Sequence, residues 1–78
     1  MKEFLLFSAN WCTSCKPVKK ALDAISVPYQ GVDIDDPEKM PLVASYGIRG
    51  IPTMLVLEDG KEIARLNGNI AESVKQFL

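Results

Sequence analysis

The sequence predicts a small α/β domain in which four strands form a mixed sheet and three helices cover both of its faces, in the order β-α-β-α-β-β-α. Three patterns carry this prediction. Residues 3–7 have a wholly apolar middle, which is typical of a short buried strand. Residues 18–25 place apolar side chains at the spacing of one helix face. Asp59 and Gly60 are a turn pair that is typical of a β-hairpin.

The first half of the chain predicts a parallel β-α-β unit. The strand at residues 3–7 precedes a helix that runs from Cys12 to about Ile25 and ends before Pro28. The apolar face of this helix consists of Val18, Ala21, Leu22 and Ile25. Residues 29–34 form the second strand. Because β-α-β crossovers are right-handed in nearly all proteins, we expect the two strands to be parallel.

A short second helix follows these strands. Residues 35–38 supply acidic side chains and a proline, which the start of a helix favours. We expect the helix to run to about Tyr46, with Pro41 delaying its first turn and Gly47 ending it.

The rest of the chain predicts a hairpin and a last helix. Strands at residues 53–57 and 62–66 flank the hairpin turn. Asn69 and Glu72 have the spacing of a capping box in front of a helix that reaches the C-terminus. The first and third strands are the apolar ones, so we expect them in the middle of the sheet, where strands are covered on both faces.

Size, charge and hydropathy exclude several classes of protein. The 78 residues predict one domain over residues 1–78. A net charge of −1 excludes the basic surface of a general nucleic-acid binder. No apolar run exceeds four residues, which is too short for a membrane span or a secretory signal, so we expect a cytoplasmic protein. Since there is no histidine, Cys-His catalysis and most zinc sites are excluded, and we expect no metal.

Cys12 and Cys15 are the only cysteines, and their spacing favours chemistry over structural support. A disulfide between them closes so short a loop that it would stabilise the fold by about 2 kcal/mol at best. Cys12 is expected at a helix N-terminus, where free N–H groups and the helix dipole favour a thiolate, with Cys15 one turn away. Two alternatives stay open here, namely a pair of ordinary buried cysteines and a zinc half-site completed by a second chain.

The residues around these cysteines resemble a known family. Residues 11–16 have the form Trp-Cys-x-x-Cys-Lys, which is similar to the active-site motif of the thioredoxins. Residues 46–53, with Pro52 near their end, resemble the segment that carries the cis-proline of that family, and Gly68 resembles the glycine of its substrate groove. The match covers essentially the whole chain. The first strand and helix of full-length thioredoxins have no counterpart, so the resemblance implies a minimal thioredoxin fold, the size of a glutaredoxin.

The resemblance implies a protein thiol-disulfide oxidoreductase that works through a Cys12–Cys15 dithiol-disulfide couple and binds no cofactor. Cys12 would be the nucleophile and Cys15 the resolving cysteine. Pro52 would be cis, and Ile51 would offer its backbone N–H and C=O to an extended substrate segment. Trp11 would be a platform for the substrate, with half-buried packing as the alternative. The residues expected to tune the couple are Thr13, Ser14 and Lys16, and the substrate-binding residues are Trp11, Ile51, Pro52 and Gly68.

The partners implied by the resemblance are disulfide-containing proteins and a separate reductase that returns the pair to the dithiol. That reductant would be a flavin enzyme using NADPH, or glutathione, and the chain would act as a monomeric electron carrier. Two other functions stay open: a glutathione-dependent glutaredoxin, and a redox-inert module that holds a peptide near Pro52. Residues 50–52 and 68–71 do not favour the glutaredoxin hypothesis, because they differ from the glutathione-binding segments of that family.

The chain departs from the thioredoxin pattern at two positions. Full-length thioredoxins carry a buried aspartate in the strand before the motif, paired with a lysine in the next strand. The corresponding positions are Leu6 and roughly Gly31. The loss of both members is self-consistent, since loss of one alone would leave a buried charge without a partner.

Overall fold

The computed structural model describes residues 1–78 and contains the predicted elements in the predicted order. The strands and helices differ from the predicted bounds by a few residues at most of their ends. Their bounds are β1 Lys2–Ser8, α1 Cys15–Ala24, β2 Tyr29–Asp33, α2 Met40–Tyr46, β3 Thr53–Glu58, β4 Lys61–Leu66 and α3 Ile70–Ser73. None of the helices, of which α1 with 10 residues is the longest, has the length and apolar character that a membrane crossing requires.

The four strands form one mixed sheet in the order β2-β1-β3-β4. The two apolar strands, β1 and β3, are therefore central, as predicted. β1 pairs with β2 in parallel, whereas β1 with β3 and β3 with β4 are antiparallel. The hairpin turn has positive φ at both Asp59 (52°) and Gly60 (85°), the geometry that joins twisted strands through a two-residue loop.

The sheet separates two apolar clusters, which places helices on both faces as predicted. On one face, α1 and α3 pack against alternate residues of the central strands, including Leu6, Met54 and Val56. On the other face, α2 and the segment after it cover Phe7 and Leu55. Adjacent residues of a strand point to opposite faces, so the continuous apolar runs of β1 and β3 supply both clusters.

The first helix begins later than predicted. It starts at Cys15, with Ser14 as the residue before its first turn, so Cys12 lies three residues ahead of the helix rather than at its first position. Pro17 explains the shift, because it has no N–H to donate to the carbonyl of Thr13. The N–H of Cys15 instead donates to the carbonyl of Cys12 at 3.3 Å, which closes a tighter turn.

The other two helices also contain 3₁₀ turns. Residues 37–39 form a 3₁₀ turn before α2, as expected of a first turn that Pro41 cannot close by an α-type bond. α3 covers only residues 70–73, and a 3₁₀ turn continues to Phe77. The predicted capping box is wrong, because Asn69 makes no side-chain capping hydrogen bond. Its backbone, at φ −84° and ψ 69°, departs from the extended conformation that places a capping side chain over the first turn.

One edge of the sheet gathers most of the predicted site. The parallel register sets Ser8 beside Asp33, so the segments after β1 and β2 leave the sheet together. The antiparallel register sets Phe7 beside Thr53, which brings the segment before β3 to the same edge. Met54 pairs with Leu66, so β4 also ends there. Four chain segments that are distant in sequence therefore meet above the carboxyl end of β1.

Candidate functional site

Cys12 and Cys15 lie in the segment after β1 and form a disulfide, with their Cα atoms 5.4 Å apart. Both are buried, but Cys12 is 7% exposed and Cys15 only 1%, so Cys12 lies closer to the surface. The half-buried side chains of Ile34 and Ile51 pack against them. Attack from solvent or from a bound chain is therefore sterically easier at Cys12.

The turn between the two cysteines presents free backbone donors. The N–H groups of Thr13 and Ser14 donate no hydrogen bond within the protein, and both residues are exposed. Lys16, the third predicted tuning residue, is also exposed, in the first turn of α1. Two unpaired N–H groups and the positive end of the helix dipole near a sulfur favour its thiolate form. The Ser14 side chain makes no capping bond, so its hydroxyl is not committed elsewhere.

Trp11 is held in position by an aspartate that the sequence analysis did not single out. The indole is 64% exposed, and its Nε1 donates to Oδ2 of Asp35 at 2.7 Å. Asp35 is placed by a turn in which its own N–H donates to Oδ1 of Asp33. The position of Asp35 at the site was predictable, because it follows β2 and the carboxyl ends of parallel strands share one edge of a sheet, but its contact with Trp11 was not. The half-buried alternative for Trp11 is not what the structure has.

The segment before β3 brings Ile51 and Pro52 to the disulfide. Gly47 ends α2 at φ 61°, and the N–H groups of Gly47 and Ile48 return to the carbonyls of Ala44 and Val43, the Schellman pattern that glycine permits. The Ile51–Pro52 peptide bond is cis. The hydroxyl of Thr53 donates to the carbonyl of Gly50 at 2.6 Å and closes the turn around it.

Two hollows flank this segment, and Ile51 borders both. The apolar hollow, about 240 Å³, lies toward Trp11 and is lined mainly by apolar side chains. The polar hollow, about 340 Å³, lies toward the end of β4 and contains Pro52 and Gly68 in its wall. Gly68 has a φ of 72°, which favours glycine. Of the four predicted substrate-binding residues, Ile51 packs against the cysteines, Trp11 shares the apolar hollow with it, and Pro52 and Gly68 share the polar hollow with it.

Arg65 of β4 anchors the far wall of the polar hollow. Its Nε and Nη2 donate to both carboxylate oxygens of Glu62 at 2.9 Å, and Nη2 also donates to the carbonyl of Tyr46 at 2.6 Å. The hydrogen bond from Arg65 is the main reason why the pKa of Glu62 is lowered below its ordinary value. The same pairing raises the pKa of Arg65. The guanidinium thus connects β4 with the last turn of α2, where a cation is favourable.

No group of three or more acidic or cysteine side chains is arranged to hold a metal ion. The chemistry offered by the site is that of the sulfur pair and of the surfaces around it.

Comparison with known proteins identifies the relatives of this chain. The family model described as thioredoxin matches residues 2–78. A thioredoxin from Pseudomonas aeruginosa is 35% identical over 71 residues, which cover 83% of this chain and 64% of that protein. A thioredoxin from Staphylococcus aureus is 30% identical, with 92% of this chain and 78% of the relative covered. The chain thus spans just under two thirds of the length of the Pseudomonas relative.

Solved structures give the same picture of the fold. Thioredoxin from Nicotiana alata superimposes with a TM-score of 0.83 at 26% identity, over 97% of this chain and 69% of that one. Thioredoxin from Fasciola hepatica superimposes with a TM-score of 0.82 at 26% identity, over 97% of this chain and 76% of that one. The predicted minimal thioredoxin-type fold is confirmed.

Proposed function

The chain belongs to the thioredoxin family, and from that premise we propose that it is a protein thiol-disulfide oxidoreductase whose Cys12–Cys15 pair reduces disulfides in other proteins. One observation carries the proposal: Ile51, the residue before Pro52, packs against the cysteine pair at the open edge of the sheet. A chain segment bound to the backbone of Ile51 is therefore delivered to the sulfurs. The family model and the relatives favour this function over a glutathione-dependent one.

In the first step, the thiolate of Cys12 attacks one sulfur of the substrate disulfide. A new S–S bond forms between Cys12 and the substrate, the substrate S–S bond breaks, and the other substrate sulfur leaves as a thiolate that takes a proton from solvent. Cys12 is suited to this role because it is the more exposed cysteine and the N–H groups of Thr13 and Ser14 lie in the turn beside it.

In the second step, Cys15 loses its proton and attacks the sulfur of Cys12. The Cys12–Cys15 bond forms, the mixed disulfide breaks, and the second substrate sulfur leaves as a thiolate. The substrate has then gained two electrons and two protons, which the protein has lost. A Cα separation of 5.4 Å lies within the usual range for a disulfide, so the segment after β1 accommodates the oxidised pair.

The substrate is bound as an extended segment across Ile51 and Pro52. The backbone of Ile51 supplies main-chain hydrogen bonds that do not depend on the substrate sequence. Trp11, fixed by Asp35, provides an apolar surface beside Cys12, and Gly68 leaves room for the segment on the other side. These roles of Trp11, Ile51, Pro52 and Gly68 belong to the proposal.

The oxidised pair must be returned to the dithiol by a separate two-electron donor. We assign this role to a flavin reductase that uses NADPH, acting in a reducing cytoplasm. Residues 50–53 and 68–69 lack the glutathione-binding pattern, so such a reductase is expected to recycle the protein faster than glutathione does. Turnover measured with each reductant in parallel tests this, and saturable turnover by glutathione alone would overturn it.

The two cysteines provide the test of the proposal. Reduction of insulin disulfides by dithiothreitol should be accelerated by the protein, abolished by Cys12→Ser and nearly abolished by Cys15→Ser. Only Cys15→Ser should accumulate a covalent mixed disulfide with the substrate, because it keeps the attacking sulfur and lacks the resolving one. Circular dichroism of both variants controls for folding. A folded wild-type protein without acceleration, or faster alkylation of Cys15 than of Cys12 at neutral pH, would contradict the assignment.

A further inference from the structure

Arg49 lines both hollows beside Ile51, and the polar hollow adds a second arginine. The polar hollow is lined by two cationic side chains, Arg49 and Arg65, and by no acidic one. On the opposite side of Ile51, the apolar hollow is bordered by Trp11, whose indole holds the carboxylate of Asp35 at 2.7 Å. A segment lying across Ile51 therefore meets Arg49, with Arg65 added on the side of the polar hollow and the Asp35 carboxylate bound to Trp11 on the other side.

Arg49 is the arginine whose charge is available. Arg65 already donates hydrogen bonds to Glu62 and to the carbonyl of Tyr46. Arg49 is exposed and takes part in none of the ion pairs of the structure, which join Met1 to Asp59, Arg65 to Glu62 and Lys75 to Glu72. It is two residues from Ile51 and lines both hollows. An anionic group entering the polar hollow would meet a cation that has no competing partner in the protein.

We propose that Arg49 makes this protein select disulfides whose cysteine is flanked by a glutamate or aspartate, with that carboxylate seated in the polar hollow. The inference rests on the proposed function and names the substrate class of the same site. In an extended segment, neighbouring side chains point to opposite sides. The two residues that flank the cysteine are therefore directed to the same side. When the cysteine reaches Cys12, an acid at a flanking position is attracted by Arg49, two residues from Ile51, and within the polar hollow by Arg65 as well.

The test uses disulfide-linked peptide dimers that differ only at one residue next to the cysteine, which is Glu, Gln or Lys. One series varies the residue before the cysteine and a second series the residue after it. The rate constant for the reaction of pre-reduced protein with each peptide is measured by acid quench and chromatography. In at least one series we expect Glu to react about two to five times faster than Gln, the range of a single exposed ion pair, and Lys to react more slowly than Gln. The preference should shrink at high salt.

The deciding comparison is between two charge-matched variants. Arg49→Gln should bring the Glu and Gln peptides to the same rate. Lys20→Gln, which removes one positive charge from the exposed surface of α1 on the other face of the sheet, should keep the wild-type preference. Equal rates for Glu and Gln in both series, or an unchanged preference in Arg49→Gln, would overturn the inference and leave the proposed function standing.

Two further outcomes distinguish selection of protein segments from binding of glutathione and from failure of the proposed function. Oxidised glutathione also carries carboxylates, so it is included as a fourth substrate. If it reacts faster than every peptide and this advantage is lost in Arg49→Gln, the polar hollow serves glutathione, and the assignment to protein segments is wrong. If none of the disulfides is reduced by folded protein, the proposed function itself fails. A Glu preference that depends on Arg49 alone supports the assignment.

Discussion

The backbone N–H of Ser14 is one of the two free donors in the turn after Cys12. Such a donor stabilises a thiolate and does nothing for an uncharged disulfide, so it makes the couple more oxidising. Proline at this position, which is usual in the family, has no N–H. Half of a charge-assisted hydrogen bond of roughly 1.5–3 kcal/mol corresponds to about 15–30 mV for two electrons.

Ser14→Pro is therefore expected to make the protein more reducing by about 15–30 mV. The measurement is the equilibrium between the protein and a glutathione buffer, with the two redox forms separated after alkylation. Ser14→Ala is the matched control, because it removes the hydroxyl and keeps the N–H. An unchanged or more oxidising Ser14→Pro variant would exclude a role for this donor.

Asp35 acts on the site through a single contact, the hydrogen bond from the Trp11 indole. Without it, the exposed ring loses its fixed orientation beside Cys12. Asp35→Ala is expected to lower kcat/KM for insulin reduction about two- to tenfold, the equivalent of roughly 0.5–1.5 kcal/mol. In a Trp11→Phe background, the ring has no N–H, so Asp35→Ala should add no further loss. A full additional loss there would mean that Asp35 contributes by another route.

At the scale of the elements, one arginine connects β4 with α2. Because hydrogen bonding to Arg65 lowers the pKa of Glu62, the pair stabilises the fold above the ordinary titration range of glutamate, and this contribution disappears as the pH falls through the lowered pKa. Glu62→Gln should cost a few tenths of a kcal/mol at neutral pH, since the pair is about one-third exposed. The cost should vanish at an acid pH below the lowered pKa of Glu62.

Urea unfolding at both pH values measures this difference. Glu72→Gln is the control, because Glu72 makes a single and more exposed contact with Lys75. It should cost less than Glu62→Gln at neutral pH. Arg65→Ala should cost more than either, since it also removes the bond to the Tyr46 carbonyl. A Glu62→Gln effect that persists in acid would show that the carboxylate charge is not its source.

The order of elements was predictable because each has a strong local signal. The apolar run of β1, the helical spacing of α1 and the Asp59–Gly60 turn do not depend on the rest of the chain. The late start of α1 follows from an N–H that Pro17 lacks, so it was also open to prediction. The contact between Trp11 and Asp35 was less accessible. It depends on how two loops meet above a parallel edge, which local patterns do not specify.

At the scale of the whole molecule, the buried aspartate–lysine pair of full-length thioredoxins, which this chain lacks, can be introduced by substitution. Leu6 and Gly31 are direct partners in the register of β1 and β2, which confirms that the two departures from the family pattern face one another. Leu6 is fully buried, and nothing lies within 4 Å of the position that a Cβ on Gly31 would take. A charge at Leu6 has no partner in the present chain.

Leu6→Asp is expected to destabilise the protein by about 3–5 kcal/mol, a large share of the stability of a small domain. Gly31→Lys should be close to neutral alone. In the double variant, the lysine should return at least about 1 kcal/mol of the loss, which urea unfolding of all four proteins measures as a coupling. Additive effects of the two substitutions would mean that the lysine does not reach the carboxylate.

Trp11 has a consequence for how this molecule is observed. It is the only tryptophan of the chain, and it immediately precedes Cys12, whose sulfur would change its bonding in the proposed reaction. Emission excited at the long-wavelength edge, where Tyr29 and Tyr46 absorb little, therefore arises from one ring at the site. Disulfides quench nearby indoles more strongly than thiols do, so oxidation and reduction can be followed by fluorescence in real time, in a protein that carries no label.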